Sequence, residues 1–305
     1  MPTKVFEAMG SRITTVVDGP DPAVGSALDW IPQQFEEWES TLSRFRPDSE
    51  LNRLQSRTGK ALDVSPTLCA VLAESIRAAE YTDGLVSPLV RDALRGAGYE
   101  DSFDEIDFSP APGPRTAIRI PDWRAIHCDP SSGRVDLPHG SPLDLGGIAK
   151  GWAAGRAAEL LSRHGPTLVD AGGDIAVSGL RADESPWPVG VGNPFAPSEL
   201  LLTIALAGGG VATSGRDYRH WVQSGRPRHH IIDPRTGEPA QTDVLAATVI
   251  GPDACRAEVG AKAAFILGSR DGIAWLDRHP ELAGMLVLDD RRIEYSREFT
   301  KYVWN

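Results

Sequence analysis

The chain has 305 residues, 41% of them hydrophobic and 24% charged, an ordinary balance for a soluble globular protein, and its formal charge is −11. That acidity argues against general nucleic-acid or anionic-membrane binding, which need a basic face. No stretch approaches the roughly 18 consecutive apolar residues of a membrane span. Three widely spaced cysteines, Cys69, Cys128 and Cys255, with no Cys-x-x-Cys and no Cys/His metal spacing, indicate neither a disulfide framework nor a zinc site. The first twenty residues hold no apolar core and no cleavage signal, so a cytoplasmic location is expected.

In chain order, Asp21–Leu42 reads as an amphipathic helix with a weak point at Pro32. Ser65-Pro66 is a helix start, with Ser as N-cap and Pro at the first helical position, and Leu68, Leu72 and Ile76 form the stripe that follows. The proline-rich run Phe108–Pro121 reads as an exposed loop between subregions. A helix grows from Ile148, with Ile148, Trp152 and Leu160 on helical spacing and no proline. Leu168–Val177 reads as two strands around a Gly172-Gly173 hairpin, with Asp170 and Asp174 on either side. Leu200–Ala207, Gly210–Thr213 and Val244–Ile250 look like strands, and Thr213, Ser214, Gly215 and Arg216 read as a polar loop ending the second of them. Asp253–Leu267 is helical, with Ala254, Ala257, Ala261 and Ala264 as its packed seam. A last hairpin pairs Met285–Leu288 with Arg292–Tyr295 around Asp289-Asp290. With no internal repeat or low-complexity linker, residues 1–305 read as one α+β domain, with a two-lobed form and a cleft as an option, rather than a doubly wound parallel sheet.

Candidate chemistry gathers in a few of these segments. Gly146 and Gly147 precede a helix, where backbone N–H groups and the helix dipole favour an anion, and Lys150 adds a full positive charge in the first turn. A loop whose glycines only permit tight packing is the alternative; neither G-x-G-x-x-G nor G-K-[ST] is present. Between Arg216 and Arg235 lie Arg219, Arg226, Arg228 and three histidines against only Asp217 and Asp233, which is either a local anion site or a solvated charged loop. His229-His230 precedes two aliphatics, an Asp233-Pro234 turn and the Gly237 stop.

Together these segments resemble the ApbE family, the FAD:protein FMN transferases. Met9-Gly10-Ser11 is similar to that family's opening M-G-T. Ser43–Leu51 is similar to its S-x-Y-R-P-D-S-E-L, with Phe45 where tyrosine is usual, and Asp83–Pro88 to its D-G-x-F-D-P, with Ser87 for the aspartate. Asp144–Gly151 and His230–Gly237 match without a break. The resemblance implies a T-fold-like α+β domain of mixed and antiparallel sheets with packed helices forming a flavin cleft. It also implies FAD as substrate, FMN attached to a threonine of an acceptor protein, and release of AMP.

It further implies roles for individual residues. His230 is the candidate catalytic base. Met9 and Phe45 fall near the isoalloxazine ring. Gly146, Gly147, Ala149, Lys150 and Gly151 meet the pyrophosphate, and Asp170, Gly172, Gly173 and Asp174 line the cofactor. Thr213, Ser214, Gly215 and Arg216 meet the phosphates or the adenosine part, and Asp233 holds the turn beside His230. The acceptor signature D-x-x-[ST]-G-A-T is absent, so self-flavinylation is not expected, and nor is a nucleic-acid or membrane partner.

One position departs from the family. Its D-x-x-x-T helix binds Mg²⁺ through Asp and Thr together with a carbonyl of the A-K-G loop, here Ala149. The corresponding helix carries Glu258 and Lys262. Either Glu258 still ligates Mg²⁺, or Lys262 replaces the metal as a fixed cation and joins His230 as a catalytic residue, or the site is degenerate. In that last case the chain is an FAD-binding protein without transfer activity or an FAD pyrophosphatase.

Overall fold

A computed structural model describes residues 1–57, 61–103, 118–223 and 225–304. The elements begin β1 (Thr3–Ala8), β2 (Ser11–Val17), α1 (Val24–Leu42), α2 (Glu50–Gln55), β3 (Leu62–Asp63), α3 (Pro66–Tyr81) and α4 (Arg91–Gly96). They continue through β4 (His127–Asp129), β5 (Arg134–Asp136), α5 (Ala149–Ser162), β6 (Thr167–Ala171), β7 (Asp174–Val177), β8 (Trp187–Asn193), β9 (Ala196–Leu206) and β10 (Gly209–Gly215). Then come β11 (His220–Gln223), β12 (Arg226–His229), β13 (Ile232–Asp233), β14 (Glu238–Pro239), β15 (Val244–Gly251), α6 (Ala254–Asp277), β16 (Ala283–Leu288) and β17 (Ile293–Tyr295). The class is α+β, as expected, and the chain separates into two compact units.

The first unit comprises residues 1–36, 150–217 and 242–305. Its frame is an eight-stranded sheet in the order β1-β2-β6-β7-β10-β15-β16-β17, in which every neighbouring pair is antiparallel. Alternate residues of a strand face opposite sides of a sheet. Val211, Ile250, Met285 and Val287 therefore point one way, into a core completed by Trp187, Val189, Ile204 and Leu206 of the β8–β9 hairpin. On α6 the buried residues include Ala254, Ala257, Ala261 and Ala264, the expected seam, and this helix packs on β10, β15 and β16. Both faces of the central strands are thus covered, which is why β16 is buried throughout while β1 alternates.

Small residues bring α6 close to the sheet. A Cβ on Gly210 would lie 2.5 Å from the backbone of Ala254. Asp253 caps the helix by accepting the N–H of Arg256 at 2.7 Å. The expected end at Leu267 is a break rather than a stop: Gly268 takes φ +82°, and a second helical segment, started by Ser269 donating its N–H to Asp243 at 2.9 Å, runs on to Asp277.

On α5 the buried residues include Ala153, Ala154, Ala157, Ala158 and Leu161, whereas Trp152 and Leu160 are only half-buried. The spacing of the large residues marked the flank of the buried stripe, because alanines can approach a neighbouring element more closely than Trp or Leu.

The second unit comprises residues 37–149 and 218–241. In α3, Ser65 caps by accepting the N–H of Leu68, with Pro66 at the first position, as expected. A core of Ala93, Leu94, Ala97, Tyr99, Trp221 and Ile232 joins α4 to the segments around β11 and β13. Cys69 and Cys128 lie with sulfurs 3.3 Å apart as free thiols, and burial followed by the neighbouring sulfur pushes Cys128 up to about 12. Most of the proline-rich run 108–121 lies outside the described residues.

The closeness of α6 to β10 has a direct check. Gly210→Ala is expected to lower stability by about 1–3 kcal/mol through overpacking. Gly192→Ala, where nothing lies within 4 Å of the added atom, should leave the urea midpoint nearly unchanged. Equal midpoints for the two variants would contradict the packing.

Candidate active site

In the first unit, three segments far apart in sequence bring four charges together. Glu258, on the second turn of α6, is 1% exposed, and a carboxylate so buried needs partners for both oxygens. One accepts the N–H of Gly151 at 3.0 Å and the other the ammonium of Lys262 at 3.1 Å. The i,i+4 spacing with Glu N-terminal to Lys favours the pair. Gly151 is required by the approach: a Cβ there would lie 2.8 Å from the Ala254 carbonyl and 2.9 Å from Glu258 Oε2. The N–H of Gly151 therefore serves Glu258. Lys150, on the first turn of α5, is ion-paired with buried Asp174 at the start of β7.

Burial pushes Glu258 up, but Lys262, Lys150 and the Gly151 N–H together hold it below its ordinary value. Burial lifts Asp174 to about 6, with the Glu258 charge adding to the rise and Lys150 and Lys262 opposing it. The four groups share one electrostatic environment.

The β6–β7 turn has Gly172 at φ +66° and Gly173 at φ +93°, the conformation that a two-residue hairpin requires. Asp170 accepts the N–H of Gly173 at 2.7 Å, and burial raises its carboxyl above the ordinary range. Beside it runs the β1–β2 turn with Met9 and Gly10, since Gly172 donates to the Arg12 carbonyl at 3.2 Å.

The polar loop expected after Thr213 is not one. Thr213, Ser214 and Gly215 belong to β10, because pairing with β15 continues as far as Gly215 opposite Ala246. The Thr213 hydroxyl meets that of Thr248 at 2.9 Å. Arg216 pairs with Asp289 and donates to the Val244 carbonyl at 3.3 Å.

In the second unit, Gly146 donates its N–H to Asp144 at 2.8 Å, and the other oxygen of Asp144 takes Arg44 Nε at 2.6 Å. Ala149 N–H closes the turn on the Leu145 carbonyl at 2.9 Å, with Gly147 inside it. Arg44 is 8% exposed; it also donates to the Tyr99 and Glu100 carbonyls and lies over the rings of Phe45, at 4.1 Å, and Tyr99, at 4.8 Å. Tyr99 touches Phe45, Trp221 and His230 with ring centroids 5.9, 5.7 and 6.2 Å away. Phe45 is left 41% exposed, an aromatic face held from behind.

Half-buried His230 places Nδ1 3.5 Å from the Arg219 carbonyl. His229 is a packing residue. Its Nδ1 accepts the N–H of Ile231, so its other nitrogen donates to the Ala240 carbonyl at 3.0 Å. Asp233 holds its turn, accepting Arg235 N–H at 2.9 Å and its guanidinium at 2.8 Å. The basic run is largely neutralised, since Arg216, Arg228 and Arg235 each pair with a carboxylate.

Arg44, Tyr99 and Trp221 join these residues without having stood out in the sequence. Only Arg44 sat in a recognisable motif; Tyr99 and Trp221 stand among other aromatics with no local signal.

These features can be set beside known proteins. A family profile described as ApbE family matches residues 9–286. The chain belongs to the ApbE family. With it the chain is a transferase. Among curated relatives, "FAD:protein FMN transferase" of Treponema pallidum is 30% identical over 93% of this chain and 83% of its own. The protein of the same name from Vibrio cholerae is 32% identical over 87% of this chain and 81% of its own. Among solved structures, the ApbE protein of Thermotoga maritima superposes with TM-score 0.89 at 26% identity, covering 100% of this chain and 99% of that one. The flavin transferase ApbE of Vibrio cholerae, at 22% identity and TM-score 0.82 over 99% of each chain, shares the fold. Among the described residues no helix is long and apolar enough to cross a membrane.

The Mg²⁺ that the family resemblance implies does not fit the residues present. That ion demands acceptor oxygens at ~2.0–2.1 Å in near-octahedral geometry. Each oxygen of Glu258 already accepts a hydrogen bond, one of them from an ammonium whose positive charge repels a second cation, and a lysine stands where the family has its threonine hydroxyl. No group of three His, Cys, Asp or Glu among the described residues could hold a metal.

The raised carboxyl of Asp174 gives a pH signature. Between its ordinary 3.8 and about 6 the folded chain binds the extra proton, so this group's contribution to stability falls as pH rises through that window. Glu258, held low, acts in the opposite sense. Asp174→Asn is therefore expected to remove a pH-dependent loss of up to roughly 3 kcal/mol, seen as a difference between the stability–pH curves of wild type and variant. Parallel curves would show that Asp174 does not titrate there.

Proposed function

We propose that this chain is an FAD:protein FMN transferase, binding FAD, attaching FMN through a phosphoester to a threonine of an acceptor protein and releasing AMP. The observation that carries the reading is the similarity to relatives of that name over more than four-fifths of both chains. In the first unit, Lys150 and the Gly172-Gly173 turn are the candidates for the pyrophosphate, with Asp170 and Asp174 beneath, Thr213, Ser214 and Arg216 toward the adenosine part, and Met9 near the flavin. In the second unit, Phe45 offers its exposed face to the flavin ring, and the Gly146-Gly147-Ala149 turn offers backbone groups to phosphate.

His230 is the base. With its proton on Nδ1, opposite the Arg219 carbonyl, Nε2 is the basic nitrogen. The threonine oxygen bonds to the flavin-side phosphorus, its proton passes to Nε2, and the bond from that phosphorus to the bridging oxygen breaks. AMP leaves with the bonding pair. Positioning and charge dominate such a transfer, and the base adds its share.

An acceptor protein with the threonine motif, incubated with this chain and FAD, should gain FMN on the threonine by mass spectrometry. His230→Ala should bind FAD as wild type does and lose transfer by about a hundredfold or more. Full transfer by that variant would remove His230 from the chemistry, and bound FAD with no transfer by wild type would make the chain a flavin-binding protein instead.

A further inference from the structure

We infer that the Lys262 ammonium takes the place of a divalent cation, so that this chain binds FAD and transfers FMN without Mg²⁺; the inference rests on the transferase reading above. Glu258 is buried, and its two oxygens accept from Gly151 and from the Lys262 ammonium. A metal ion could reach Glu258 only by displacing an ammonium that the helix itself holds in place at i,i+4. Lys262 is the outward member of the pair, its side chain 18% exposed against 2% for Glu258. Among the described residues one hydrogen bond of that ammonium goes to Glu258. An ammonium carries three donors, so two remain for an anion arriving from the solvent side.

The second pair, Lys150 with Asp174, adds another ammonium in the same electrostatic environment. Carboxylates below and ammonium donors above make a preorganised phosphate-facing layer. It serves as the metal would, holding charge opposite the pyrophosphate, but it is built from the chain alone. Lys262 is the group that meets the pyrophosphate, and Glu258 is the positioning residue that keeps it pointed.

The test uses two readouts on the full chain: Mg²⁺ calorimetry without FAD, and FAD fluorescence titration in Mg²⁺ and in EDTA. Wild type is expected to show no Mg²⁺ heat and the same FAD affinity in both buffers. Glu258→Asp/Lys262→Thr should gain Mg²⁺ binding and bind FAD tightly only when Mg²⁺ is present. Glu258→Gln/Lys262→Met, which removes the charges together and strands neither, should weaken FAD by roughly tenfold to a hundredfold in either buffer, the range for losing a hydrogen bond to a charged group. Circular dichroism confirms folding of each variant.

Mg²⁺ heat with wild type, or an FAD affinity that falls in EDTA, overturns the inference, as does unchanged affinity in the neutral pair. Mg²⁺ calorimetry and FAD titration need no acceptor protein. EDTA-insensitive FAD binding without transfer therefore fails the transferase reading alone, whereas transfer that stops in EDTA fails the metal inference alone.

Discussion

The buried carboxylate of Glu258 sets the terms for the first unit's candidate site. A charge almost wholly withdrawn from water is tolerated only if both oxygens are satisfied, and here the partners come from two helices. The demand fixes Gly151, because any side chain there would collide with Glu258 or with the Ala254 carbonyl. It fixes Lys262, since removing one member of a buried pair costs about 3–5 kcal/mol. It also orients the start of α5, and with it Lys150, toward Asp174 on the neighbouring strand. One electrostatic constraint thus ties α5, α6 and β7 into a common arrangement.

The second unit depends on a different device. Arg44 is buried, neutralised by Asp144 and bonded to two backbone carbonyls, so its guanidinium is a rigid plate behind Phe45 and Tyr99. Asn52 holds the same loop by donating to the Arg44 and Arg46 carbonyls at 2.9 and 2.8 Å. An aromatic ring whose orientation is fixed from behind loses little entropy on binding a partner.

What could be read from the sequence were features set by a few adjacent residues. Ser65-Pro66 and Asp253 announced their helices through capping chemistry, and Gly172-Gly173 announced a turn that needs positive φ. The family motifs contain Arg44, Asp144 and His230, but only His230 stood out among them as a candidate for chemistry. What could not be read depends on distant pairing. Thr213–Gly215 stayed in the sheet because β15 continues alongside, and nothing local says how long a partner strand will be. The buried stripe of α5 was hidden because alanines, not Trp152 and Leu160, face inward. The hydrogen bond from Gly151 to Glu258 spans 107 residues. The substitutions at 258 and 262 were visible, but their burial as an ion pair was not.

The most direct measurement is a crystal structure of the chain with FAD grown in manganese, read by anomalous scattering. No anomalous peak is expected beside Glu258, with Lys262 Nζ hydrogen-bonded both to Glu258 and to a pyrophosphate oxygen. A manganese peak coordinated by Glu258, with Lys262 swung away, would contradict it.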